Sequence, residues 1–184
     1  ASDPALFKPY ARDPETLARP WAIPGTPGLE HRIGGLSKEN ISGNVSYSPT
    51  NNETMMRLRT EKVARIANAI PLIEVNGPES GELLVVGWGG THGTITSAIE
   101  AARSDGLDVS SIHLRHLHPF PTNLGEVLRR FRRVLVPELN LGQLSRLLRA
   151  EYLIPAESLT KVQGQPFQVA EIHARIASML RGGD

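Results

Sequence analysis

Between Leu83 and Asn140 the chain repeats one rhythm: a short apolar run, a turn, an amphipathic stretch, and another apolar run. Leu83-Leu84-Val85-Val86 is continuously apolar, as a strand buried on both faces must be. Gly87-Trp88-Gly89-Gly90-Thr91-His92-Gly93 then supplies a turn, and Ile95, Ala98, Ile99 and Ala102 recur at helical spacing across 94–104. Asp105-Gly106 ends that helix, and Val109 to Leu114 reads as a second strand. Asn123 is placed to cap a helix carrying Leu124, Val127, Leu128 and Phe131, and Val134 to Val136 reads as a third strand. Further on, the pattern predicts a helix over 141–152, a short strand over 159–162 and a closing helix over 169–180. Strands alternating with helices specify an α/β domain of three layers around a mostly parallel sheet, here over residues 79–184.

The region before it, residues 1–78, is different. Six of the 14 prolines fall in the first 27 residues, and each removes a backbone donor and disfavours helix for the residue before it. An extended Pro-rich arm is therefore expected. Trp21, Ile23, Leu29, Ile33 and Leu36 make it too apolar for a free linker. The expectation is an arm without a core of its own, laid on another surface, as in a piece of a larger polypeptide. After Ser48-Pro49 a helix is expected over about 52–69, capped by Asn51 or Asn52. Glu53 would lie near its positive end, with Met56, Val63, Ile66 and Ile70 on its apolar face.

Composition excludes several chemistries. The chain has no cysteine, so it offers no disulfide, no cysteine nucleophile and no thiolate ligand for zinc or an iron–sulfur cluster. Twenty Lys+Arg stand against 19 Asp+Glu, a balance that calls for neither nucleic acid nor a membrane surface. No run reaches the ~18 apolar residues of a membrane helix, and the first residues lack the charged and apolar regions of a signal peptide. A cytoplasmic setting fits these features.

The motifs leave alternatives open. Gly87–Gly93 could cradle a phosphate through backbone amides, with Gly89, Gly90 and His92 nearest the anion, or be a tight strand-to-helix turn. The dinucleotide fingerprint is broken there, since His92 holds the position of its last glycine. His113, His116 and His118 invite a metal, but an extended strand puts His113 opposite the other two, so no metal site is assigned. Arg129-Arg130-Phe131-Arg132-Arg133 is either a phosphate-binding cluster or cations at a helix end. Pro137-Glu138-x-Asn140-x-Gly142-Gln143 follows the third strand, where parallel sheets meet ligands and partners. Glu138 and Asn140 there either bridge an interface or satisfy the amides of the next helix. Arg115, His116, His118, Glu138, Asn140 and Gln143 are taken as interface candidates. His31 and Arg32, in a glycine-flanked loop, are candidates for an anionic ligand or an exposed polar pair. No complete catalytic set is present: no Gly-x-Ser-x-Gly, no phosphate loop and no thiamine-type Gly-Asp-Gly.

Three stretches carry a resemblance. These are Trp21-Ala22-Ile23-Pro24-Gly25-Thr26-Pro27-Gly28-Leu29-Glu30-His31-Arg32-Ile33-Gly34-Gly35-Leu36, then Leu114-Arg115-His116-Leu117-His118-Pro119-Phe120-Pro121, then Val136-Pro137-Glu138-Leu139-Asn140-Leu141-Gly142-Gln143-Leu144. They resemble the alpha subunit of 2-oxoacid:ferredoxin oxidoreductases, and within that family the 2-oxoglutarate enzymes. The resemblance implies a transketolase C-terminal-like domain over 79–184, preceded over 1–78 by the end of the thiamine-pyrimidine domain. It further implies oxidative decarboxylation of 2-oxoglutarate to succinyl-CoA, with thiamine diphosphate, an iron–sulfur cluster and CoA in the intact complex and no cofactor held by this piece. The implied partners are the beta subunit, a second alpha subunit and, through the complex, ferredoxin. The family's Tyr-Pro-Ile-Thr-Pro motif is not in the sequence, so the piece alone is expected to be inactive, with no catalytic residue of its own. The alternative is a free-standing nucleotide- or phosphate-binding module.

Overall fold

The computed structural model describes residues 3–182. The chain divides into two units, one ending at Ala69 and the other beginning at Ile70.

In the first unit one helix, α1 (Pro49–Arg65), continues as a 3-10 turn over Ile66–Ala69. Its cap is Ser48, whose Oγ accepts from Asn51 N, rather than Asn51 or Asn52. Asn51 instead binds the preceding loop, with Nδ2 donating to Lys38 O at 2.8 Å and Oδ1 accepting from Asn40 N at 3.0 Å. The arm is not free of a core. Leu17, Leu29 and Met55 are buried, and Arg65 Nη1 donates to the carbonyls of Pro14 and Glu15 at 2.6 and 2.7 Å. The inward face of α1 is therefore set by Met55, while Met56 is half exposed, one position off the predicted stripe. The ammonium of Lys38, itself buried, closes the loop by donating to Gly34 O at 3.1 Å and Leu36 O at 2.5 Å. Trp21, Ile23 and Ile33 remain 88, 74 and 78% exposed.

The second unit is a three-layer α/β domain. Its strands are β1 (Gly81–Trp88), β2 (Val109–Leu114), β3 (Phe131–Glu138) and β4 (Ala156–Thr160), all parallel, in the order β2-β1-β3-β4. The helices are α2 (His92–Ser104), α3 (Leu124–Arg129), α4 (Gln143–Tyr152) and α5 (Val169–Arg181). Side chains alternate across the central strands. Leu83, Val85 and Leu135 pack under α2 and α5 with Ile95, Ile99, Ile172 and Ile176. Leu84, Val86, Val134 and Val136 pack under α3 and α4 with Leu124, Leu128, Leu144 and Leu148. Burial on both faces explains why the first strand reads as an unbroken apolar run.

Three elements differ from the sequence pattern. The short strand expected over 159–162 is β4, which begins three residues earlier and ends at Thr160. Phe131 is not on the helix. It opens β3, pairs with Gly81 of β1, and joins the same α3/α4 cluster from the sheet side. Asn123 does not cap α3 through its side chain. Its Oδ1 accepts from Ile73 N and its Nδ2 donates to Ile73 O, both at 2.9 Å. A side-chain amide imitates a strand residue here, pinning the segment that runs on to Asn76, which exchanges backbone hydrogen bonds with Ser111 at the β2 edge. Asn123→Ala is expected to cost about 1–2 kcal/mol in urea unfolding, the worth of two half-buried hydrogen bonds, and to speed amide exchange at Ile73.

Candidate functional site

In a parallel sheet the loops after the strands gather at one edge, and the order β2-β1-β3-β4 places its switch between β1 and β3. The β1–β3 pairing stops at Val85–Leu135, two residues before Pro137, whose nitrogen carries no hydrogen. Beyond it the connections after β1 and β3 diverge to opposite layers.

After β1 the chain turns through a 3-10 segment, Gly89–Thr91, into α2. Thr91 Oγ1 closes the turn, accepting from Trp88 N at 3.2 Å and donating to Trp88 O at 2.8 Å. Gly89 has φ +56, and open space surrounds both Gly89 and Gly90. The packing glycine is Gly87: a Cβ there would meet Ile95 Cδ1 at 2.6 Å and His113 Nδ1 at 3.1 Å. His113, opposite Gly87 in the β2 register, lies in that space.

A cleft of about 410 Å³ opens at the β2 edge, lined among others by Glu74, His92, Ser111, His113, Arg115 and His116. His92, the first residue of α2, sets its ring edge-on to His113 with centroids 4.7 Å apart. His113 Nδ1 is buried without a hydrogen-bond partner among the described residues. Burial, then the neighbouring His92 and Arg115, pushes the His113 pKa below the usual imidazole value. His92, Arg115 and His116 are thus brought together, whereas His118, before the cis Pro119, does not line the cleft. No group of three His, Cys, Asp or Glu placed to hold a metal occurs among the described residues. The donor set, lacking cysteine altogether, does not fit an iron–sulfur cluster.

The loop after β3 is self-contained. Glu138 is fully buried; Oε1 accepts from Leu144 N at 2.7 Å and Oε2 from Ser145 N at 3.2 Å. Asn140 Oδ1 accepts from Gly142 N at 2.8 Å and Gln143 N at 2.9 Å. Two side chains satisfy four successive amides at the positive end of α4, and Gly142, at φ +83, supplies the left-handed turn between them. The Glu138 carboxylate is occupied inside the domain and has no surface to offer a partner. Asn140 is mostly engaged, and Gln143 is exposed, as are Leu139 and Leu141.

The basic cluster is dispersed. Arg130 pairs with Glu79 and Glu126, Arg132 with Glu82, Arg129 donates to Gly125 O, and Arg133 to Met179 O. One ion pair, between buried Lys161 and exposed Glu171, had no signature in sequence. Lys161 Nζ sits 2.8 Å from Glu171 Oε2 and donates to Pro166 O at 3.1 Å, closing the β4–α5 connection. The Lys161 hydrogen bond holds the Glu171 carboxyl below its usual range, helped by Gln168 N. In the first unit, His31 Nδ1 lies 2.9 Å from Leu29 O with its ring edge-on to Phe7. His31 and Arg32 line a cleft of about 420 Å³ with Phe7, Gly28, Ser42 and Asn44.

Comparison with known proteins follows the same outline. The model of the family described as pyruvate:ferredoxin oxidoreductase core domain II matches residues 81–172. Over 177 residues the chain is 54% identical to the 2-oxoglutarate oxidoreductase subunit KorA of Mycobacterium tuberculosis, covering 96% of this chain and 27% of that one. It is 30% identical over 185 residues to the alpha subunit of 2-oxoacid:ferredoxin oxidoreductase 1 of Aeropyrum pernix, with 96% and 28% covered. Among solved structures, a 2-oxoglutarate:ferredoxin oxidoreductase from Magnetococcus marinus superposes with a TM-score of 0.85 at 31% identity, over 95% of this chain and 31% of that one. That structure holds 2-oxoglutarate, coenzyme A and succinyl-CoA. The chain thus spans 27 to 31% of the length of these relatives. These likenesses do not favour the free-standing nucleotide-binding module.

Two outcomes follow from the geometry. Glu138→Ala strands the amides of Leu144 and Ser145 inside the domain and is expected to lower stability by about 2–3 kcal/mol in urea titration. Because the folded His113 has the lower pKa, the unfolded chain binds the extra proton. The contribution of His113 is therefore complete above the unfolded imidazole pKa and is lost as pH falls below it. Thermal unfolding midpoints should drop between pH 7.5 and 5.5, and His113→Phe should flatten that drop.

Proposed function

The chain belongs to the pyruvate:ferredoxin oxidoreductase core domain II family, and from that membership we propose that it is the C-terminal part of an alpha subunit of a 2-oxoglutarate:ferredoxin oxidoreductase. The reaction is oxidative decarboxylation of 2-oxoglutarate to succinyl-CoA with electrons passed to ferredoxin. The observation that carries this reading is the 54% identity to a 2-oxoglutarate oxidoreductase subunit, sustained over 96% of the chain. Residues 79–184 form the transketolase C-terminal-like domain, and residues 1–78 the end of the thiamine-pyrimidine domain with its connecting helix.

Within such an assembly this piece is structural. These 184 residues hold no cysteine, so the thiolate ligands of an iron–sulfur cluster lie outside them. When bound elsewhere in the complex, thiamine diphosphate supplies the carbanion chemistry. The partners are the beta subunit and a second alpha subunit, with ferredoxin reached through the complex, in the cytoplasm. Exposed apolar residues support the docking role: Ile23 and Ile33 on the arm, and Leu139 and Leu141 beside the strand ends. His31 and Arg32, with Gly89, Gly90 and His92, are the groups proposed near substrate or cofactor. Arg115, His116, His118 and Gln143 are proposed to face a partner. No helix among the described residues is long and apolar enough to cross a membrane.

A graft tests this. The matching quarter of the Mycobacterium tuberculosis subunit is replaced by this chain and co-expressed with the beta subunit. The chimera is expected to co-purify with it and to reduce ferredoxin with 2-oxoglutarate and CoA, while the chain alone does neither. Ile33→Glu should cut co-purification at least ten-fold with the chain's own unfolding midpoint unchanged. A chimera that assembles but oxidises no 2-oxoglutarate overturns the assigned reaction; one that folds and does not assemble overturns the docking role.

A further inference from the structure

The sheet has two edges, and the chain treats them differently. At β2 its own segment runs alongside, with Asn76 N donating to Ser111 O at 2.8 Å and Ser111 N to Asn76 O at 3.1 Å. At β4 no strand or bridge lies alongside among the described residues. Lys161 N donates to Glu138 O at 3.0 Å. Strand alternation then turns the backbone of Leu159 and Glu157 toward β3 and that of Ser158 and Thr160 to the open side. An unprotected edge invites another strand.

A groove of about 840 Å³ follows this edge between α4 and β4, lined by Leu141, Arg146, Arg149, Pro155 and Ser158 among others. Arg146 and Arg149 lie one turn apart on the same face of α4. Neither guanidinium has a hydrogen bond or ion pair among the described residues, unlike Arg130, Arg132 and Arg175. The carboxylate that lines the groove, Glu157, is already held by Arg175 at 2.6 Å. The groove therefore joins a row of unpaired backbone groups to two uncompensated positive charges.

We propose that β4 takes up an extended acidic segment of a partner polypeptide as an additional strand, with Asp or Glu at alternate positions against Arg146 and Arg149. Backbone pairing gives the affinity, and side chains on one face of the added strand give the selection. Charge complementarity fixes the occupant: a basic strand would meet two arginines unscreened, and a neutral one would leave them unpaired. The inference concerns the sheet edge and does not depend on the reaction assigned above.

The probe is a labelled peptide of alternating valine and glutamate, titrated into the full chain at low salt and followed by fluorescence anisotropy. Saturable binding is expected, together with slower amide exchange at Ser158 and Thr160, and none with the valine–lysine peptide. Arg146→Glu with Arg149→Glu should weaken binding at least ten-fold. Thr160→Pro, which deletes an outward N–H and leaves the β3 ladder intact, should do the same. Equal binding of both peptides, or unchanged exchange at Ser158 and Thr160, overturns the proposal. So does self-association of the chain in sedimentation that Thr160→Pro abolishes, since the occupant would then be a second copy.

Discussion

Everything in the second unit hangs on β1 and β3 being buried on both faces. Leu83, Leu84, Val85, Val86, Leu135 and Val136 are fully buried, and with no water on either side their backbone groups must pair with neighbouring strands. That requirement makes the sheet continuous, and the helical crossovers that join its parallel strands cover both faces. It also exiles polar chemistry to places where strands end or lack a neighbour. Those places are the loops after β1, β2 and β3, and the two outer edges.

The strand ends solve the same problem in two ways. After β3 the chain brings its own acceptors, Glu138 and Asn140, and the α4 amides are used up within the domain. After β1 the turn relies on glycine and on Thr91, and the imidazoles of His92 and His113 meet beside Arg115. The first loop is finished as it stands. The second leaves His92, Arg115 and His116 exposed at a cleft, whereas Glu138 is spent inside the domain.

Much of this was legible in the residues. Val109 to Leu114 matches β2, and the runs at Leu83 and Val134 mark the centres of β1 and β3, because double burial writes an apolar block that periodicity cannot disguise. Local rules failed where a side chain served a distant segment. Asn123 looks like a cap but holds Ile73, 50 residues away in sequence, and Asn51 looks like a cap but holds the loop at Lys38 and Asn40. Phe131 fits the helical spacing of Leu124 and Leu128 because the first residue of β3 enters the same apolar cluster from the sheet. Met55 and Met56 are indistinguishable by composition, and only the packing within the first unit selects one. Glu138 was readable as either cap or interface, and burial decides it: a carboxylate with no exposed surface must be satisfied from within.

The two sheet edges show why a fold can be complete while its surface is not. The β2 edge is covered by residues 71–76, which are held by Asn123, by Asn76–Ser111 pairing and by Arg103, whose guanidinium reaches both Asn76 O and Val109 O. Such cover restrains several residues at an entropic cost, offset in part by Ile73 and Val75, which pack against the core. Its return is protection of an edge that would otherwise pair with other chains. The same pressure acts on β4, yet there the described residues supply no covering strand, only Pro155 at the entrance and two arginines across the groove. Proline and positive charge keep like chains away without filling the edge. An edge guarded in that way discriminates among partners rather than excluding them all, because a strand of opposite charge meets no such barrier.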